Sequence, residues 1–461
     1  VDRQEWDRRF FDAVKNGVKG EDGESAGMVA FGGTLSDAQI WALVVHLREL
    51  QERDRRKRGG EGTLKPAEKG VFTTKHGRHR VERVITGGLA TPWAVDWLGG
   101  PDGEGRMTAV VTEREGSVRV YRYDPAVGKA GKGELSEPIK GFPKVYANGQ
   151  GGLMDVTAHP EYEKNGWVYV SYSRPGEGNA RGGMTVLTRG KIKPGAGGKG
   201  LEWAEQEVLW TPAAEKYQTG GLHFGSRVVF GEVIGSGEGK GKRHVYLSLG
   251  ERGRGDLSQD MTRPNGKLIR VYDDGGVPKD NPFVGQSGVD GAYYSFGHRN
   301  AQGMTIDLEG NLWVTEHGPR GGDELNLVKP GANYGWPLVT FGIEYSDAPL
   351  RSPWPGADGK VSGKPVTMPV WVWVPSIAAC GLDTVRPGRM GEMFPKWKGD
   401  LVAGGLAGSV VERLRVKEGR VVEREEVYFG RGRVRDVVTG PEGSVWVVVN
   451  DPDEVVRLVQ E

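Results

Sequence analysis

A single cysteine, Cys380, stands among 461 residues. That excludes an intrachain disulfide, and it excludes covalent c-type haem attachment, which needs a Cys-x-x-Cys-His run. Charge of one sign is equally scarce: 62 Lys and Arg oppose 61 Asp and Glu. No global basic field is therefore available to hold nucleic acid. No uninterrupted apolar stretch approaches the roughly 20 residues a membrane helix requires. Two Gly/Lys-rich stretches, KIKPGAGGKG (191–200) and GSGEGKGK (235–242), lack the G-x-x-x-x-G-K-[ST] spacing of a phosphate loop and are expected to be hairpin tips.

What is abundant is glycine, 76 residues, beside 14 Trp, 14 Tyr and 12 Phe. Glycine between short apolar runs with large aromatic anchors implies many tight turns around a packed core rather than disorder. Two helices are expected first. DRQEWDRRFFDAVKNG (2–17) places Trp6, Phe10, Phe11 and Val14 on one face, with Gly17 to end it. SDAQIWALVVHLREL (36–50) opens with a capping box, Ser36 with Gln39, and lines up Ile40, Leu43, Val44 and Leu47. The charged run ERDRRKRGGEG (52–62) is expected to begin a solvated linker over 51–80.

From about Val81 the pattern changes to short β-rich runs. HPEYEKNGWVYVSYS (159–173), DLEGNLWVTEHG (307–318) and GPEGSVWVVVND (440–451) share one design: an acidic or Pro-containing turn, then Gly, then a strand with Trp near its start. KRHVYLSLGERG (242–253) and KGDLVAGGLAGSVVERLRV (398–416) are looser copies. Repeated antiparallel strands without intervening helices predict a β-propeller over 81–461. At about 60 residues per blade the span gives six blades, more than the ~40–45 residues of the shortest repeats, so long loops must decorate one face. A large β-sandwich is the alternative.

Polar side chains of chemical interest gather in separated segments beside the predicted strands: Gln150, His223, Arg299 with Asn300, and Arg433 with Arg435. In a propeller such loops converge on the central channel. One base with several cations and amides around a shaft suits a flat polyanionic ligand.

The stretches GQGGLMDVTAHP, HFGSRVVFG, GKLIRVYDDGGVPKDNPF, FGHRNAQGM, EHGPRGGDELNL, NYGWPLVTFGIEYS and RVRDVVTGPEG follow one another over nearly 380 residues. In that order they resemble the soluble, pyrroloquinoline quinone (PQQ)-dependent aldose sugar dehydrogenases of the glucose/sorbosone dehydrogenase family. The resemblance implies a six-bladed propeller and oxidation of an aldose C1 hydroxyl to the lactone, with hydride passing to PQQ. It implies His223 as general base, a role its ordinary pKa near ~6.5 suits. Glu251 would orient that imidazole, and Arg299 and Asn300 would lie beside the reacting quinone carbonyl. Gln150, Tyr345, Arg433 and Arg435 would also contact the cofactor. The loop EHGPRGGDELNLVKPGANYGWPL (316–338) would hold calcium twice: through the Gly318 and Pro319 carbonyls at the cofactor, and through Glu324 and the Tyr334 carbonyl at a structural site. Hard oxygen donors of this kind are what Ca²⁺ requires.

Three positions depart from the family's pattern: Ser226 stands where Gly is usual, Ala407 where some members carry Lys, and Cys380 where Ser is common. Ahead of the propeller, GESAGMVAFGGTLSDAQIWALVVHLREL (23–50) resembles the C-terminal part of a class I cytochrome c, with Met28 in the axial-ligand position but no haem-attachment motif. Electrons would then leave for a separate acceptor, for which a cytochrome c is the candidate. The chain begins at Val1 rather than Met, as one whose export signal has been removed would, and a periplasmic or secreted location is expected. Two rival functions share the architecture: a Ca²⁺-dependent lactonase-type hydrolase, which would need acidic metal ligands inside the channel, and a non-catalytic binding propeller.

Overall fold

The computed structural model describes residues 3–20, 25–58, 62–64, 70–126, 128, 132–346, 348–350, 360–361, 363–430 and 432–461. Six antiparallel sheets follow one another in chain order, five of four strands and one of five. Their first strands are Pro92–Trp97, Leu153–Ala158, Gly225–Val233, Ala301–Ile306, Ala379–Thr384 and Arg433–Thr439. Each first strand lies against that of the next blade, and the sixth returns to the first, so the six enclose a central channel. The sixth blade closes the ring: its third strand, Glu454–Gln460, pairs with Gly77–Ile85, and Val71–Thr74 adds the outer edge. The propeller thus begins about ten residues before the expected position 81.

The Trp-led sequence copies are the second strands of blades two, four and six, starting at Trp167, Leu312 and Val445. Each turn before them places its glycine in the left-handed region, with φ of 69° at Gly166, 85° at Gly310 and 77° at Gly443, where a Cβ is penalised. Trp313 and Trp446 are then buried between blades. The two Gly/Lys stretches form hairpin tips: the first runs from the end of strand Gly183–Pro194 through the turn to Leu201–Trp210, and the second lies between Gly225–Val233 and Arg243–Leu249.

Two helices precede the propeller, α1 (Arg3–Asn16) and α2 (Asp37–Lys57). The capping box forms as expected, with the Ser36 and Gln39 side chains bonding each other's backbone. The buried stripe of α2 differs from the expected one. Ile40 and Val44 are buried, but Leu43 and Leu47 are exposed, and Trp41 and Val45 take their place. The reason is tertiary: Trp41, Val44 and Val45 pack on Val339, Phe341 and Ile343 of a propeller loop. The charged run also continues as helix to Lys57 rather than opening a linker. Glu52 pairs with Arg55 and Arg56, and Asp54 with Arg58, at helical spacings. Glu52 also receives Arg424 of blade five at 3.2 Å. Residues 59–61 and 65–69 of the expected linker lie outside the described residues. Met28 sits in a short ribbon, where Val18 pairs with Met28.

Candidate active site

All six first strands run the same way along the channel, so the residues just before them collect at one mouth. The loops joining second to third strands reach that mouth too. Gln150 precedes blade two, His223 blade three, and Arg299 with Asn300 blade four, while Glu251 and His317 follow the second strands of blades three and four.

Hydrogen bonds tie these residues into one network. Gln150 Oε1 accepts the His223 backbone N–H at 2.9 Å. The backbone at His223 is itself left-handed, φ 49°, a conformation that costs a non-glycine residue and persists only where the surroundings over-determine it. Arg252 supplies part of that restraint: its guanidinium bonds the carbonyls of Leu222 and Gly220 and lies 3.4 Å over the Phe224 ring. The sequence held no signal for this arginine beyond its place after Glu251.

His223 Nδ1 and Glu251 Oε1 share a hydrogen bond. Burial holds the imidazole below its usual pKa; the Glu251 bond opposes that shift and the Arg299 charge adds to it. The ring is therefore neutral at pH 7. With Nδ1–H donated to Glu251, the lone pair belongs to Nε2. Glu251 is in turn fixed by its backbone, whose N–H donates to the Arg299 carbonyl at 2.9 Å.

Arg299 donates its backbone N–H to Glu316 at 2.7 Å and its guanidinium to the His317 carbonyl at 3.2 Å, with the guanidinium 5.2 Å from the Trp336 ring centre. Asn300 Oδ1 accepts the Gly225 N–H at 3.1 Å. Among the described residues, six buried polar atoms of this cluster have no partner: Glu251 Oε2, Arg252 Nε, Arg299 Nε, Asn300 Nδ2, His317 Nε2 and Trp336 Nε1. Leaving such atoms unsatisfied is costly, and a polar ligand would satisfy them. His317 escaped the sequence reading. Burial, then the positive charge of Arg299 and of the other cations at this mouth, hold its pKa well below the usual value. Arg435 lies 4.1 Å over the Trp93 ring and bonds Gln302 and Asn450. Arg433 is exposed at the rim. Tyr345 is not drawn into the cluster; it is 71% exposed. Ala407 lies exposed in the blade-five turn, with its N–H on the Ile377 carbonyl, so no cation reaches the mouth from there.

The Gly318–Gly322 loop is held by Asp323. One carboxylate oxygen accepts the Gly318 N–H at 3.0 Å, the other the Ser376 hydroxyl at 2.6 Å and the Ala379 N–H at 3.0 Å. Among the described residues no three acidic, His or Cys side chains converge on a point that could hold a metal ion. A metal here would rest largely on carbonyl oxygens. Glu324 is buried and accepts a hydrogen bond from Asn326 Nδ2 at 3.0 Å. Burial, then the nearby Glu316 charge, raise its pKa well above the ordinary value, a repulsion that a bound cation would relieve. Tyr334 does not touch Glu324 directly. It stacks on His298 at 4.6 Å, and His298 bonds Glu316, which shares Asn326 with Glu324.

Sequence comparison identifies the family to which a propeller with this mouth belongs. Residues 89–458 match the family model described as Glucose / Sorbosone dehydrogenase. The chain belongs to that family, and it is an oxidoreductase. It is 36% identical over 324 residues to the aldose sugar dehydrogenase YliI of Escherichia coli K12, covering 70% of this chain and 77% of that protein. It is 28% identical over 282 residues to quinoprotein glucose dehydrogenase B of Acinetobacter calcoaceticus, 56% of this chain and 52% of that one. Among solved structures, the soluble aldose sugar dehydrogenase of Escherichia coli in its apo-form superposes with a TM-score of 0.67 at 32% identity, covering 83% of this chain and all of that one. The PQQ-bound aldose sugar dehydrogenase of Streptomyces coelicolor, 24% identical with a TM-score of 0.61, shares the fold. The family match starts well after α2, and these comparisons lend no support to the cytochrome c-like resemblance of the N-terminal segment.

Proposed function

We propose that the protein oxidises the C1 hydroxyl of an aldose to the lactone with PQQ as hydride acceptor and Ca²⁺ as its companion ion. The observation that carries this reading is the pairing of a neutral, Glu251-anchored His223 with unpartnered donors on Arg299 and Asn300 in one buried mouth. Arg299, Arg433 and Arg435 suit the three carboxylates of PQQ, and Asn300 Nδ2 and His317 Nε2 are donors left over for its carbonyls. Bound there, PQQ supplies an electrophilic quinone carbon that accepts a hydride. His223 Nε2 takes the proton of the C1 hydroxyl, and Glu251 stabilises the imidazolium that results. The Arg299 guanidinium places fixed positive charge where negative charge grows, in a site from which water is largely excluded. Gln150, whose amide oxygen is committed to the His223 backbone, orients the base as well as facing the cofactor. The Gly318 and Pro319 carbonyls would hold one Ca²⁺, and Glu324 with the Tyr334 carbonyl a second.

In the same proposal electrons pass to a separate acceptor, with a cytochrome c the candidate, and the protein works in the periplasm or outside the cell. A lone buried Cys380 leaves no thiol pair to bridge in an oxidising compartment.

The test is optical. The full chain is loaded with PQQ and Ca²⁺, then mixed with an aldose without any acceptor. Loss of the oxidised-quinone absorbance with equimolar lactone is expected. A spectrum unchanged across a panel of aldoses would overturn the reading, and lactone hydrolysis by PQQ-free protein would favour the hydrolase instead.

A further inference from the structure

The family match begins at residue 89, yet α2 lies directly behind the loop whose carbonyls are proposed to hold Ca²⁺. Glu49, 3% exposed on α2, receives the Arg320 guanidinium at two points, Nε to Oε1 at 3.4 Å and Nη2 to Oε2 at 3.2 Å. Arg320 follows Pro319 immediately. Its backbone is fixed from a second side: its N–H donates to the Ile343 carbonyl at 3.0 Å, and the Ile343 N–H returns to its own carbonyl at 2.9 Å.

Val45, one turn before Glu49, closes on the same loop, since a Cβ at Gly321 would lie 3.4 Å from Val45 Cγ1. Gly322 is pressed against Gly342; a Cβ there would fall 2.5 Å from the Gly342 nitrogen. The order from the channel outward is therefore the loop 318–322, the segment 340–343, and α2 packed across both. Asp323 holds the loop from the channel side through the Gly318 N–H. Glu49 holds it from outside.

We propose that Glu49 is a positioning residue for this loop: through Arg320, α2 braces residues 318–322 in the conformation that presents the Gly318 and Pro319 carbonyls, a proposal that rests on the metal reading above. A short loop whose ligands are main-chain carbonyls has no side-chain rotamer to adjust, so its affinity depends on how the backbone is held. Partners that orient ligands without touching the metal typically matter about 10–100-fold in metal affinity.

The charge of Arg320 separates bracing from simple electrostatics. Glu49→Gln leaves that positive charge less opposed and would weaken Ca²⁺ by repulsion alone, whereas Arg320→Gln removes the charge and would tighten it. Bracing predicts that both weaken it.

The experiment uses the full chain with saturating PQQ, titrated with Ca²⁺ and read by hydrogen exchange of the amides at 318–322. Wild type is expected to gain protection there as Ca²⁺ binds. Glu49→Gln and Arg320→Gln should each raise the half-saturating Ca²⁺ concentration about tenfold, with exchange elsewhere in the propeller unchanged. Glu49→Arg combined with Arg320→Glu should recover part of the loss. Unchanged half-saturation in both single variants, or tighter binding by Arg320→Gln, would overturn the brace. If wild type shows no Ca²⁺-dependent protection at 318–322, the metal reading itself fails. The brace is then judged on metal-free protein, where Glu49→Gln must speed exchange at 318–322 or the idea falls.

Discussion

His223 and Glu251 belong to two different loops of blade three, and their side chains meet in a buried hydrogen bond between Nδ1 and Oε1. The bond selects one tautomer and one ring orientation, leaving Nε2 as the basic atom. Glu251→Gln removes the group that stabilises the imidazolium and can reverse the tautomer. Turnover should fall by about 10²–10⁴-fold, the range typical of a general base. His223→Ala should fall as far while retaining PQQ and Ca²⁺. Single-turnover bleaching of bound quinone by sugar measures both. Near-normal bleaching in a fully loaded His223→Ala variant would remove His223 from the mechanism.

The pH profile follows from the same pair. Burial and the Arg299 charge lower the His223 pKa, while Glu251 raises it. The acid limb of kcat/KM should therefore lie below about 6.5, the ordinary histidine value, with the base fully active at pH 7. Removing the Glu251 charge removes a raising influence, so the limb should move further toward acid in Glu251→Gln. The same shift has a stability consequence: the unfolded chain binds the proton more readily, so this group's contribution is present above the unfolded pKa and lost as pH falls through the lower folded one. A limb that moved upward in the variant would contradict the assignment.

Arg299 should separate into two effects. Its guanidinium belongs to the cationic cluster, and in the proposed mechanism it also neighbours the reacting centre. Arg299→Ala should lose about 10²–10³-fold in turnover, as loss of one preorganised charge donor does, and should also weaken PQQ binding in a fluorescence titration. Arg433→Ala, at the exposed rim, should weaken PQQ binding with little change in the turnover of loaded enzyme. Equal loss of turnover in both would mean that the cluster acts only by binding.

Calcium can be tested by thermal stability. Ligand that binds only the native state stabilises it by RT ln(1 + [L]/Kd), about 2.7 kcal/mol at a hundredfold excess over Kd. Wild type should melt higher in excess Ca²⁺ than in chelator, and Glu324→Ala should lose much of that gain. An identical Ca²⁺-dependent shift in Glu324→Ala would remove Glu324 from the site.

The propeller was legible because its signal is local and repeated: the Gly-then-Trp starts at 167, 313 and 446 mark second strands whose turns need left-handed glycine. The partners at the mouth were legible only as a motif series, since His223 and Arg299 are far apart in sequence and no periodicity links them. What stayed hidden depended on contacts across still longer separations. Glu49 and Arg320 are 271 residues apart, and nothing in the charge pattern of α2 distinguishes Glu49 from its solvated neighbours. The same holds for Glu52, whose burial against Arg424 keeps helical a run that composition alone assigns to a linker. Tyr345, which the resemblance places at the cofactor, is exposed, so its place at the site rests on the motif series alone.

Ser226, a departure from the family's glycine, sits at φ 111° and is 2% exposed. This backbone region is open to glycine and strained for other residues. Ser226→Gly should therefore stabilise the protein by about 1 kcal/mol, the lower end of the usual cost of such strain. Urea unfolding measures it, and a destabilised variant would show that the serine's backbone is relaxed there.

Arg227, the next residue, closes the channel beneath the mouth. Its Nη1 lies 2.7 Å from Asp155 and 2.9 Å from Asp436, joining blades two, three and six, and its Nε donates to the Gln302 carbonyl at 3.1 Å. Below it a cavity of about 390 Å³ opens at the opposite mouth. Both aspartates are raised in pKa, by burial first, Asp436 to about 6, with the Arg227 charge opposing. Arg227→Met should cost about 3–5 kcal/mol at neutral pH, the usual penalty for stranding buried charge. The sign with pH is fixed. A carboxylate whose folded pKa is raised favours the folded state most when protonated, and it loses that contribution as pH rises through the folded value. Without Arg227 both folded values should rise further, so the deficit of the variant should be large at pH 8 and shrink as pH falls below about 6. Denaturant unfolding of both proteins at pH 8 and pH 5 decides it: a deficit that stayed constant, or grew toward acid, would show that the two aspartates do not depend on Arg227 for their charge.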